Sequence, residues 1–194
     1  FRGLGGNDII DGRGGEDRVD YIGSTAGVTV DLSGATLTGD GTTETGRGLA
    51  IDGLGGTDVL IGIERVRGSL NDDIIIGDDA ANRLRGLDGA DTLTGGGGAD
   101  RVEFEAISDS EVGAANRDVI TDFEVGSDDI ALNNLGIGDF DFVGTLGFSG
   151  GSDNIEARAV VSGSDTIVEI DVDGDGAADM EIFLTGIDAT TLTD

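Results

Sequence analysis

Asp73, Asn82, Asp91 and Asp100 recur every nine residues, so alternate members of the series stand 18 apart. The chain has no histidine and no cysteine, which leaves oxygen as the donor its side chains offer in quantity. Sets of carboxylates and turn carbonyls suit a hard divalent cation, calcium above all, which takes about six to eight oxygens where magnesium demands a stricter octahedron. The same absences exclude disulfides, a thiol nucleophile, Ser-His or Cys-His pairs and an imidazole zinc site.

The elements that must hold these residues are short. Large apolar residues fall at Val66, Ile75, Leu84, Leu93 and Val102, and glycines at Gly68, Gly77, Gly86 and Gly95, on the same nine-residue clock. At the start of the chain Phe1, Ile10 and Val19 are the apolar beats, Gly3 and Gly12 open the turns, and Asp8 and Asp17 close them. One further copy, Gly53 to Leu60, stands alone. Each unit reads as a six-residue glycine-rich turn ending in Asp, then a three-residue strand with one inward aliphatic residue. Two units make one coil with a strand on each side, and coils stack about 4.8 Å apart as parallel strands. Ile75 and Leu93 are then expected on one sheet, and Val66, Leu84 and Val102 on the other. Stacking sets Asp73 over Asp91 and Asn82 over Asp100. Two carboxylates about 5 Å apart repel by roughly 3 kcal/mol at an effective dielectric near 20, and a divalent cation removes that cost.

Composition bounds the rest. The chain has 194 residues, 40 acidic against 11 basic, for a net charge of −29. All of its cations are arginine, proline is absent, and glycine supplies 37 residues. Eleven arginines read as scattered form no basic stripe, so nucleic acid and anionic membranes are not expected as partners. No apolar run approaches the roughly 20 residues of a membrane span, and Phe1-Arg2-Gly3 is no signal-peptide start. The chain is expected to be part of something longer.

The pattern GGxGxDxUx resembles the RTX calcium-binding repeat, most clearly in Gly86–Thr94 and Gly95–Glu103. That resemblance implies an all-β, right-handed parallel β-roll solenoid with an antiparallel β cap, and several Ca2+ ions. It implies one site from Ser69, Asn71, Asp73, Gly86, Asp88 and Asp91, and a second from Asp78, Ala80, Asn82, Gly95, Gly97 and Asp100. In the next turn Leu87 and Gly89 occupy positions two and four. Asn82 replaces an Asp and Ala80 a glycine, so the second site is expected to be weaker. The N-terminal copies would contribute Leu4, Gly6 and Asp8, then Arg13, Gly15 and Asp17, stacked on turns expected to lie outside the chain. Residues from about 20 to 50 break the period and read as longer coils inserted in the roll. The Gly62-Ile63-Glu64 link reads as a shortened half-coil that leaves Asp58 near Asp73.

The roll is expected over 1–103 and the cap over 104–194. After Val102 the phenylalanines Phe104, Phe123, Phe140, Phe142, Phe148 and Phe183 suit a cover for a solenoid end. The stretches Asp118–Ile130 and Val168–Leu192 are similar to the C-terminal region of serralysin-type proteases. That similarity makes Asp109 and Asp118 candidates to close the last calcium sites. Asp171, Asp173, Asp175 and Asp179, with Gly176 at position six, resemble the start of an EF-hand loop, but Ile182 stands where the bidentate Glu belongs. The flanking strands favour a calcium-binding hairpin with Ala177 ligating through its carbonyl, or an acidic turn without metal.

The family resemblance implies folding on calcium after passage through type I secretion machinery, hence a secreted, extracellular module. Its secretion signal is C-terminal. Leu192-Thr193-Asp194 lacks the usual final apolar residues and reads as clipped. The serralysin zinc motif HExxH is impossible without His, and no acid pair stands apart from the repeats to hydrolyse glycosides. The chain is therefore expected not to be an enzyme, with a catalytic domain upstream in its parent. An adhesin or polysaccharide-binding module remains open, although the negative surface should repel an anionic polymer. Acidity from a saline habitat would scatter the acids, whereas many follow the repeat.

Overall fold

A computed structural model describes residues 1–34, 47–133, 135, 140–151 and 154–193. The chain forms two sheets facing each other across a thin aliphatic core. The five-stranded sheet runs β12-β10-β8-β6-β2 and is wholly parallel, with β2 Arg18–Asp20, β6 Arg65–Arg67, β8 Arg83–Arg85, β10 Arg101–Phe104 and β12 Asp129–Leu132. The eleven-stranded sheet contains β7 Ile74–Ile76, β9 Thr92–Thr94 and β11 Asp118–Ile120, all parallel. From β6 to β12 successive strands alternate between the sheets, which is the roll.

The register follows the aliphatic clock. Val66 pairs with Leu84 and Leu84 with Val102 on one sheet, and Ile75 pairs with Leu93 on the other. All five are buried at 3 % exposure or less, while the neighbouring Ile74 is 46 % exposed, as the period-two pleat requires. An isolated three-residue strand has little stability, and only stacking buries its single inward side chain.

The segment after β2 differs from the expected longer coils. Strand β3 (Thr29–Asp31) pairs parallel with β7, but β4 (Gly48–Asp52) runs antiparallel to both β3 and β5 (Gly56–Ile61). Asp52 faces Gly56 across a tight hairpin in which Gly55 has φ +86°, a left-handed turn that sends the chain back along the same sheet instead of around a coil. Residues 35–46 of this segment lie outside the described residues. Strand β5 then pairs with β1 (Ile9–Asp11). Three strand steps in the sheet order separate β5 from β7, so Asp58 does not stack near Asp73.

The roll also runs past residue 103. A longer connection containing the short turn Ile107–Asp109 leads to β11 and β12, which add one more coil. The antiparallel cap β14 (Ile155–Ser162), β15 (Asp165–Asp171) and β16 (Met180–Leu184) joins the large sheet through β16, parallel to β11, and β13 (Phe140–Phe142) closes its edge. Phe104 and Met180 fill the roll's end, both at 1 % exposure or less.

The arginines are not scattered. Arg18 pairs with Arg65, Arg65 with Arg83, and Arg83 with Arg101, in one row across the outer face of the small sheet. Arg67 and Arg85 form a second row beside it. Inward Val66 and Leu84 fix the register, so their neighbours on both sides must point outward together.

Candidate metal centre

Where each turn enters a strand, a carboxylate accepts the backbone N–H of the rung beside it. On one edge Asp73 N donates to Asp91 Oδ1 at 2.7 Å and Asp91 N to Asp118 Oδ1 at 2.9 Å. On the other, Asn82 N donates to Asp100 Oδ1 at 2.8 Å and Asp100 N to Asp128 Oδ1 at 3.0 Å. The first coils repeat this: Asp8 N donates to Asp58 Oδ1, and Asp17 N to Glu64 Oε2. The acids are thus stacked in two ladders, one along each edge.

Each ladder carboxylate spends one oxygen on this bond. The other oxygen of Asp91, of Asp100 and of Asp118 is buried without a hydrogen-bond partner. Burial pushes the Asp91 and Asp118 carboxyls up to about 8 and about 9, and their mutual repulsion and that from Asp73 and Asp109 add to the rise. Burial also raises Asp73, Asp100 and Asp58, the last beside the Tyr21 hydroxyl, which donates to it. An ionised carboxylate that is buried and half-satisfied is costly, and the choices are a proton or a cation. These oxygens fit a hard cation.

The glycines explain how the acids can sit there. A Cβ at Gly86 would collide with Asp91 Oδ2, and one at Gly95 with Asp100 Oδ2. Gly89 and Gly98 close over Asn71 and Ala80 of the stacked turns, with φ of +131° and +109°. Position two is left-handed at Arg13, Leu87 and Gly96. This conformation is rare for side-chain-bearing residues, and at Leu87 it is held by burial of the side chain. It recurs in turns 12–17, 86–91 and 95–100, each of which also has a left-handed glycine at position four, Gly15, Gly89 and Gly98.

Turns 68–73 and 77–82 differ. Ser69, Asn71, Asp78 and Ala80 are not left-handed. Asp73 folds back on its own turn, taking Ser69 N on Oδ2 and Ser69 Oγ with Val28 N on Oδ1. Asn82 likewise takes Asp78 N. The structure brings the two expected pairs of turns together, but these two turns are closed by their own side chains. Asp88 accepts from Ser108 Oγ, and Gly97 N donates to the Asp78 carbonyl.

The N-terminal turns have partners within the chain, contrary to expectation. Gly6 N donates to the Gly55 carbonyl, and Gly12 packs against the Gly62 carbonyl, so Leu4–Asp8 stacks on the copy ending at Asp58 and Arg13–Asp17 on Glu64. Gly15 of that second turn is left-handed, with φ +125°. The antiparallel return of β4 and β5 supplies what the repeat alone could not reveal. Asp118, a candidate to close the last sites, stands beside Asp91 and accepts its N–H. Asp109 is buried nearby, but its Oδ2 accepts from Glu105 N and Ala106 N and lies 3.5 Å from Arg85. Asp128 and Glu64 were missed, although Asp128 follows Asp100 by 28 residues much as Asp118 follows Asp91 by 27.

In the cap hairpin, Asp171, Asp173 and Asp179 each place an oxygen within 4.8 Å of the others. Asp171 is buried and accepts from Gly174 N and Gly176 N, while Asp179 accepts from Val172 N. Asp175 accepts from Ala177 N and stays outside the cluster.

A solenoid of stacked acidic turns with a capped end defines a parallel β-roll of the repeat class. The family model described as Peptidase M10 serralysin C terminal matches residues 8–194, and the chain belongs to that family. No curated protein matches the chain. The family describes the C-terminal, non-catalytic part of the M10 serralysins.

Proposed function

We propose that this chain is a calcium-binding RTX module whose folding is coupled to Ca2+ and which stabilises the C-terminal end of a larger extracellular protein. The observation that carries this reading is the set of orphaned, buried oxygens on Asp91, Asp100 and Asp118. Bound calcium would supply the positive charge that lets these carboxylates stay ionised. Asp91 with Asp118 and Asp100 with Asp128 would hold it along the two edges, and the left-handed turns 86–91 and 95–100 would present carbonyls. Asp171, Asp173 and Asp179 would hold a further ion in the cap.

Such sites exist only when the turns are stacked, so binding energy is folding energy. At calcium 100-fold above its dissociation constant each site adds roughly 2.7 kcal/mol, and three or four add about 10. That equals the stability of a typical domain. A chain loose at low calcium and closed at high calcium suits export unfolded through a type I channel and folding outside. Family membership supports that reading. Circular dichroism during calcium titration of chelated protein tests it. Strand content should rise cooperatively with calcium and respond poorly to magnesium. Full β-structure in excess chelator would refute coupled folding.

A further inference from the structure

We propose that the open end of the small sheet takes an extended peptide strand from a partner protein, with large apolar side chains at alternate positions. The small sheet stops at β12, whereas the large sheet continues past β11 through β16, β15, β14 and β13. The inner face of those last strands therefore has no opposing strand beyond β12 among the described residues. Burial records the consequence. Ile130 and Leu132 of β12 stand in register with Val102 and Phe104 of β10, so all four point to the same face of the sheet. Val102 and Phe104 are buried at 3 % and 1 % exposure, but Ile130 and Leu132 stay half-buried, because no further rung covers them. The backbone is open as well. Asp129 N donates to the Asp100 carbonyl and Asn133 N to the Phe104 carbonyl, so alternate residues of this strand face β10. The N–H and C=O groups of Ile130 and Leu132 then face the unpaired edge, as strand alternation requires.

Beside that edge lies a cleft of about 650 Å³, with Ile130 and Leu132 on one side and Ala157, Val168 and Phe142 of the cap on the other. Its size and apolar lining are those of a binding site. Leu192, near the end of the chain, covers it in part. A free strand edge next to an apolar cleft fixes the chemistry of the occupant: main-chain hydrogen bonds hold an added strand, and pockets select its alternate side chains. An acyl chain would fill the cleft and leave the edge unpaired. Charge sets the register. On the outer face Asp129 is 59 % exposed and shares Arg101, its partner across the ladder, with Glu103. A strand laid along β12 sets one outward residue opposite Asp129, where opposite charges attract. That residue should be Arg or Lys, and the net charge of −29 disfavours an acidic segment. The pairing would repeat the one that already holds β12, in which Arg101, Val102 and Phe104 of β10 meet Asp129, Ile130 and Leu132. The occupant is thus an extended segment that runs basic, apolar, polar, apolar.

Titration calorimetry of the full chain in calcium, folded by circular dichroism, with a blocked Lys-Arg-Val-Thr-Phe-Lys peptide tests the assignment. Binding is expected. Alanine in place of the peptide's valine or phenylalanine should weaken it at least about tenfold through lost apolar burial. Methylating the peptide amides that face β12 should abolish it. Asp129→Lys should weaken binding of the arginine peptide and strengthen binding of the same peptide with glutamate in the arginine's place, a reversal that misfolding cannot mimic. Should that variant fail to fold, Asp129→Asn should narrow the preference between the two peptides. No binding, equal binding of the methylated peptide, an unchanged preference in folded Asp129 variants, a dimer of the chain that excludes the peptide, or tighter binding of dodecanoate than of the peptide would each overturn the proposal.

Discussion

Protons should substitute in part for calcium. In the folded, metal-free chain the Asp91 and Asp118 carboxyls are pushed up by burial to about 8 and about 9, whereas the unfolded chain releases these protons near the ordinary 3.8. Between those limits the folded state holds more protons than the unfolded state. The stabilisation is therefore fully present below the unfolded value and is lost as pH rises toward the folded one, at about 1.4 kcal/mol per pH unit for each carboxylate. From about pH 5 to about pH 7 the pair should cost the chelated protein on the order of 5 kcal/mol, comparable to the whole stability of a small domain. Asp58, Asp73 and Asp100 are raised too and push in the same direction. Urea unfolding in excess chelator, followed by far-ultraviolet circular dichroism, reads this as a midpoint that falls with pH. Asp91→Asn with Asp118→Asn should flatten the dependence, which separates these two groups from the general relief of surface repulsion. A chelated wild type as stable at pH 7 as at pH 5 would refute the reasoning.

Gly86→Ala drives a methyl into Asp91 Oδ2 and should cost about 1–3 kcal/mol in calcium and weaken calcium binding, read by thermal melting. Gly14→Ala meets nothing within 4 Å and has no left-handed φ, so its melting temperature should not fall. Asn82→Asp restores the missing acid and should raise calcium affinity by calorimetry while destabilising the chelated chain. Ile75→Ala empties a fully buried position shared by the stacked coils and should cost about 2–5 kcal/mol in chemical denaturation.

The aliphatic and glycine clocks made the roll legible, because one inward side chain per strand leaves no other way to bury it. Val66, Leu84 and Val102 on one sheet and Ile75 and Leu93 on the other follow from spacing alone. Direction in 20–61 did not, since alternation around Thr29–Asp31 and Leu49–Ile51 is the same for parallel and antiparallel strands. Gly55's turn sets β5 against β4. The coil through β11 and β12 was hidden by the thirteen residues 105–117, which break the period in sequence but not in space. Asp118 was found through resemblance, and Asp128 was not found. The arginine rows were readable: Arg65, Arg83 and Arg101 stand 18 apart, as do Arg67 and Arg85. Charge counted over the whole chain concealed a local arrangement that the coil length sets.

Crystals grown in calcium and measured for anomalous scattering test the central claim most directly. Peaks are expected beside the free oxygens of Asp91, Asp100 and Asp118, between stacked turns on both edges. Well-ordered turns with only water at those corners would contradict it.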